Sequence, residues 1–257
     1  MNGLVVEDHM GESEVAEYLY PGVTCSGDCR SARFAPSGFS LQLVRARLED
    51  GASLRWSSTG WGEQVVYVIG GEMLVDGHTC PAGGSIIVED AIGTVLQTVG
   101  KTEILHFGIQ RPKPGEADDA GDARSPKVAI FGPRGMYATV TDERETRFFA
   151  DSQGDLATTF FLTGRSGRYR SLPHSHSQDE ILYVVNGSIF FGKREIPTGS
   201  AVAVAADRKY GFVSADDGFG MLNYRRGASY FSGPGDVEPF LEGGAATGME
   251  LVGDRIL

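Results

Sequence analysis

Between Gly167 and Gly187 the chain reads GRYRSLPHSHSQDEILYVVNG, with His174, His176 and Glu180 at positions of equal parity. On an extended backbone side chains two apart share a face, and in a closed barrel that face can be the interior. Two imidazoles and a carboxylate converging there make a divalent-metal site. The donor set matches the facial triad of non-haem iron, and nickel, manganese, cobalt or zinc would accept the same atoms. His9, His78 and His106 stand alone and read as core or surface residues. Arg170 shares the parity of His174 and is the candidate substrate-binding residue, able to meet an anionic group. Arg165 and Arg168 close by leave open a plain surface stretch.

The elements that must position these residues are strands. Short runs rich in Val, Ile, Tyr and Phe are cut by glycines, as in EQVVYVIGGEMLVDG and DEILYVVNGSIFFGK. A single helix is expected over Glu12 to Tyr20, where Val15, Tyr18 and Leu19 share a face and Pro21 ends it. Residues 111–127, RPKPGEADDAGDARSPK, hold three prolines and no apolar periodicity and read as a linker. The expected domains are therefore 1–110 and 128–257. An offset of 116 aligns Gly51 with Gly167, Tyr67 with Tyr183, Gly71 with Gly187, Pro81 with Pro197 and Gly83 with Gly199. Two all-β copies follow, each a small sandwich or barrel. In the first copy Ser58, Gly60, Gln64 and Thr94 fall on the ligand positions, and neighbouring Glu63 alone makes no site. That copy reads as metal-free and structural, with Trp56 and Trp61 either packing residues or the lining of a pocket.

At these residues the sequence resembles the cupin superfamily. The first cupin motif, a glycine, His-x-His, a glutamate and a closing glycine, is filled by Gly167, His174, His176, Glu180 and Gly187. The second falls on GSAVAVAADRKYGFVS, from Gly199 to Ser214, where Ala205, Asp207, Tyr210 and Ser214 replace the proline, second glycine, histidine and asparagine. The resemblance implies an all-β fold of two tandem cupin barrels (double-stranded β-helix, jelly-roll), the C-terminal one binding metal and the N-terminal one degenerate. It implies one divalent transition metal per chain, iron(II) first, held by His174, His176 and Glu180. Tyr210, at the fourth-ligand position, ligates as a phenolate, acts as acid or base, or merely fills the barrel mouth. Glu180 and Tyr210 are the candidate catalytic residues. Cupins of this build include dioxygenases, decarboxylases, isomerases, lyases and binding proteins. The first expectation is a dioxygenase acting on a small organic molecule. The alternatives are a non-redox lyase or isomerase using Tyr210, and a non-catalytic small-molecule binder.

Composition narrows the setting. The 257 residues carry 34 acidic and 23 basic side chains, a net charge of -11, which opposes binding to nucleic acid. No apolar run approaches the roughly 18 residues of a spanning helix, and the acidic start is unlike a secretory or transit peptide. A cytoplasmic protein without membrane contact is expected, with Cys25, Cys29 and Cys80 as reduced thiols of no chemical role. A homodimer formed through exposed sheet edges is the expected assembly.

Overall fold

Strands buried on both faces form the centre of each half of the chain, and their composition explains why. The first residues of Gln64–Val75 and of Glu180–Phe191 are almost wholly buried, which suits QVVYV and EILYV, since branched and aromatic side chains pack well on a pleated surface. The structure is a computed structural model and describes residues 3–57, 61–90, 92–111, 128–152, 156–227, 231–232, 249–251 and 256. Among these residues the only helical element is a 3-10 turn, Met10–Ser13, and every strand pair is antiparallel. The fold is all-β.

Two units divide the chain. One comprises Ser13–Ala35, Ser40–Pro133 and Asp254–Leu257, the other Met1–Glu12, Pro36–Phe39 and Arg134–Gly253. In the first barrel the main path of strands is Val128–Phe131, Ser85–Val88, Gln64–Val75, Val95–Ile109, Leu41–Leu48, Cys29–Phe34. In the second it is Leu4–Glu7, Ala201–Val204, Glu180–Phe191, Val213–Arg226, Thr158–Arg165, Arg144–Ala150, Tyr137–Val140, Met249–Leu251. The repeat is visible in the pairing: Gln64 lies opposite Val88 as Glu180 lies opposite Val204. Gly71 and Gly187 have φ of 78° and 65°, and a Cβ on either would stand 2.4 Å from the Lys101 carbonyl oxygen or 2.3 Å from that of Gly218. Only glycine meets both demands.

The expected domain limits, 1–110 and 128–257, are corrected by two strands that cross them. Leu4–Glu7 pairs with Ala201–Val204, register Leu4 to Val204, and Val128–Phe131 pairs with Ser85–Val88, register Val128 to Val88. Each strand covers the equivalent edge of the barrel built from the other half of the sequence. An uncovered edge would leave a row of main-chain donors and acceptors unpaired. Of the expected linker, only Arg111 lies within the described residues.

The helix expected over Glu12 to Tyr20 is also corrected. Val15 forms an antiparallel bridge with Ser31, each N–H donating to the other's carbonyl at 2.9 Å. Tyr18 and Tyr20 are buried two apart, a strand-like spacing, with Leu19 between them partly exposed. The three apolar residues that suggested a helical face serve an extended segment instead.

Candidate active site

Backbone pairing brings the motif residues of the second barrel together. His174 and Tyr210 bridge each other, both N–H groups donating at 2.8 Å. His176 lies in the strand Ser175–His176, and its carbonyl accepts from the Asp207 N–H at 2.6 Å. Asp207 has φ of 59°, the left-handed conformation that favours glycine. Glu180 opens its strand directly opposite Arg225, with Asn223 two residues away on the same face.

A cavity of about 310 Å³ in this barrel is lined by His174, His176, Tyr210, Asn223 and Arg225 together with aromatic side chains. The Nδ1–H of His174 donates to the Leu172 carbonyl at 2.8 Å, leaving Nε2 as the acceptor. The two imidazole centroids are 5.2 Å apart at an interplanar angle of 80°. Two imidazoles bound to one ion at about 2.1 Å have centroids roughly 5 Å apart, so this spacing suits a shared ion. Burial, then the charge of Arg225, then His174 push the His176 pKa down to about 2, keeping the ring neutral as a ligand must be. Glu180 is 1% exposed. Its Oε2 accepts from Asn223 Nδ2 at 2.8 Å, while Oε1 has no hydrogen-bond partner. Burial raises the Tyr210 pKa well above the ordinary phenol value, and the Glu180 carboxylate raises it further. With no metal ion beside it, Tyr210 is accordingly a protonated phenol.

The donor types fit a divalent ion, and an orphaned carboxylate oxygen invites one. Among the described residues no three His, Cys, Asp or Glu side chains are already gathered as closely as a bound ion would hold them, so an ion shared by His174, His176 and Glu180 would have to draw these side chains together. Arg225 Nη1 lies 2.9 Å from His176 Nε2 and nearer still to Nδ1, while Asn223 engages Glu180. Arg170, expected to meet substrate, is exposed and does not line the cavity. Its neighbours Tyr169 and Ser171 do. The alternation that linked Arg170 to His174 is broken between them, since Ser171, Leu172 and His174 all line the cavity.

No family model and no curated protein matches the sequence. Solved structures match over most of their length. A candidate glyoxylate-induced protein from Pseudomonas aeruginosa superposes with a TM-score of 0.66 at 15% identity, covering 88% of this chain and 90% of its own. A candidate dioxygenase from Nostoc punctiforme gives 0.61 at 12%, covering 87% and 82%. Oxalate decarboxylase of Bacillus subtilis, described with Mn(II) centres, gives 0.60 at 13%, covering 91% and 79%. The chain has the cupin jelly-roll fold.

Comparing the two cupin barrels shows what sequence reasoning missed. Val66 faces His106 where Leu182 faces Asn223, so between these strands the offset is 117 rather than 116. Asn223 is therefore the counterpart of His106, and Arg225 that of Gly108. In the first barrel Gln64 Oε1 accepts from His106 Nε2 at 2.8 Å, the same cross-strand bond that Glu180 makes with Asn223. Gln64 Oε1 also accepts from Trp56 Nε1 at 2.9 Å, and Tyr20 stacks on His106 with centroids 3.6 Å apart. A Cβ on Gly108 would lie 1.8 Å from the Tyr20 hydroxyl. Aromatic rings thus fill in the first barrel the place that Arg225 takes in the second. Trp56 is a core residue, 4% exposed. Thr94 is buried, and Ser58 and Gly60 lie outside the described residues.

Proposed function

We propose that the second barrel is the active site of a metal-dependent enzyme acting on a small organic molecule, with His174, His176 and Glu180 as ligands of one divalent transition metal. The observation that carries this reading is Glu180, buried to 1% with Oε1 unpartnered, four residues along the chain from a histidine pair whose ring spacing suits one ion. A buried acceptor left without a donor costs about 1–3 kcal/mol, and a bound cation supplies the missing partner. When bound, the metal offers a Lewis acid with open coordination positions, or a redox centre if it is iron. The chain's own residues orient and protonate. His174 is held by the Leu172 carbonyl, Asn223 holds Glu180 at Oε2, and Tyr210 keeps its proton at a cavity wall where a substrate oxygen or carbon can receive it.

A dioxygenase is the reaction class we favour, because two histidines and one carboxylate would leave positions on iron open for substrate and oxygen side by side. The candidate dioxygenase among the matched structures is in keeping with it. The protonated Tyr210 favours a second reading, a non-redox lyase or isomerase in which that phenol is the acid. Turnover of a library of small organic molecules by iron-loaded protein, in air and under argon, separates the two. Oxygen uptake that stops under argon is expected; undiminished anaerobic turnover selects the lyase or isomerase, and ligand retention without turnover selects a binding protein.

Three cysteines are unpaired, with burial pushing Cys80 up to about 12 and, together with its neighbour Cys29, Cys25 to about 12. Inert thiols of this kind suit the cytoplasm. Among the described residues no helix is long and apolar enough to cross a membrane.

A further inference from the structure

We propose that the molecule this barrel takes in is a small organic anion, a carboxylate attached to a planar apolar body, anchored by the Arg225 guanidinium. The proposal rests on the second barrel being a small-molecule site and adds the class of molecule; it does not require the metal. Arg225 is 5% exposed. A guanidinium does not neutralise itself by losing a proton, so a buried one demands an anion. Among the described residues no carboxylate lies within 4.0 Å of Arg225, Glu180 included, and its Nε has no hydrogen-bond partner. Its Nη1 donates instead to the ring of His176, a neutral acceptor that returns no charge.

The rest of the lining repeats this polarity. Arg144 and Arg165 face each other across adjacent strands and both line the cavity, and no Asp or Glu does. Arg165 is matched by Glu143 at 2.6 Å, leaving its buried Nε unpartnered, and Arg144 donates to Thr146 at 3.1 Å. Of the three, Arg225 is the one that is fully buried, 5% exposed, and has no carboxylate beside it. The body of that ligand is set by what surrounds the guanidinium. Its Cζ lies 5.5 Å from the Phe161 ring centroid, and Phe161 packs on Phe148 with centroids 5.0 Å apart. Phe212, Phe219 and Met221 continue the apolar wall. A cavity of about 310 Å³ is at the lower end of small-molecule sites. Guanidinium at one point and aromatic faces around it fit a flat apolar group carrying one carboxylate, which a guanidinium can bind through two N–H groups in a fork.

Calorimetric titration of the full chain, stripped of metal by chelator and dialysed, tests this with phenylacetate and its neutral isostere phenylacetamide. Phenylacetate is expected to bind at least tenfold more tightly than the amide. Arg225→Gln should remove that preference, Arg225→Lys should keep part of it, and Arg170→Ala should leave it intact. Equal binding of acid and amide, no binding of either, or an unchanged preference in Arg225→Gln overturns the proposal. If Arg225→Gln does not fold, the acid and amide comparison on the parent chain still decides. Metal content is measured separately, so a barrel that binds phenylacetate but never a metal refutes the metal reading alone, and the reverse result refutes only the anion.

Discussion

At the residue scale, the histidines of the two barrels sit in different surroundings, His106 fully buried and His174 and His176 at a cavity wall. His106 is 0% exposed, its Nδ1 accepting from the Tyr18 hydroxyl at 2.8 Å and its Nε2 donating to Gln64. Burial holds its pKa well below the ordinary imidazole value. The unfolded chain takes up a proton on this residue near pH 6.5 and the folded chain does not, so its contribution to stability is full above that pH and is lost as pH falls below it. His176 acts with the same sign. Chemical denaturation of a His106→Gln variant should therefore show a shallower loss between pH 6.5 and pH 5, by up to about 1.4 kcal/mol per pH unit. An unchanged slope would mean that His106 is protonated in the fold. In the second barrel Tyr210→Phe keeps the ring and removes the proton. Turnover should fall about a hundredfold or more with metal content unchanged, and parental turnover would reduce Tyr210 to packing. His174, His176, Glu180 and Tyr210 stand out in the sequence as candidates because their identity and spacing are chemical. Arg225 and Asn223 do not, since they lie more than forty residues beyond Glu180 and one residue off the repeat offset. Arg170 was misplaced because parity counts only while the backbone stays extended.

At the scale of elements, strands and turns were written plainly and a helix was not. The glycines that mark the repeat sit where φ is positive, and at Gly187 a neighbouring carbonyl also closes in. Gly192 has φ of 64° but open space around it. Replacing each by alanine separates the two effects. Gly192→Ala should cost about 1 kcal/mol from strain alone, and Gly187→Ala distinctly more, about 2–4 kcal/mol. Equal losses in urea denaturation would show that the strand-to-strand approach at Gly218 relaxes freely. The segment from Glu12 to Tyr20 misled because Val15, Tyr18 and Leu19 fit a helical period as well as an extended chain. What decided was tertiary, the bridge from Val15 to Ser31 and the pocket for Tyr18 and Tyr20 around His106. No local pattern holds that information.

At the scale of the molecule, the reciprocal strands matter most. Leu4–Glu7 completes the second barrel and Val128–Phe131 the first, so each barrel needs residues from the other half of the sequence. A chain lacking residues 1–8 should show faster amide exchange in Ala201–Val204 and little change in Ser85–Val88. Equal protection in the shortened chain would mean that the edge is stable uncovered. The exchange was illegible in the sequence because both strands are four-residue apolar runs that any edge could accept. The divergence of the two interiors was half legible. Loss of the histidines from the first copy was plain, but not the aromatic filling around Gln64 and His106 that replaced them.

The metal content of protein purified without chelator bears most directly on the central claim. About one transition-metal ion per chain is expected, with His176→Ala and Glu180→Gln emptied and each still folded by thermal denaturation, since a metal in a preformed barrel contributes little to the fold. Two ions per chain, or full occupancy in the His176→Ala variant, would contradict the placement of the ion at His174, His176 and Glu180.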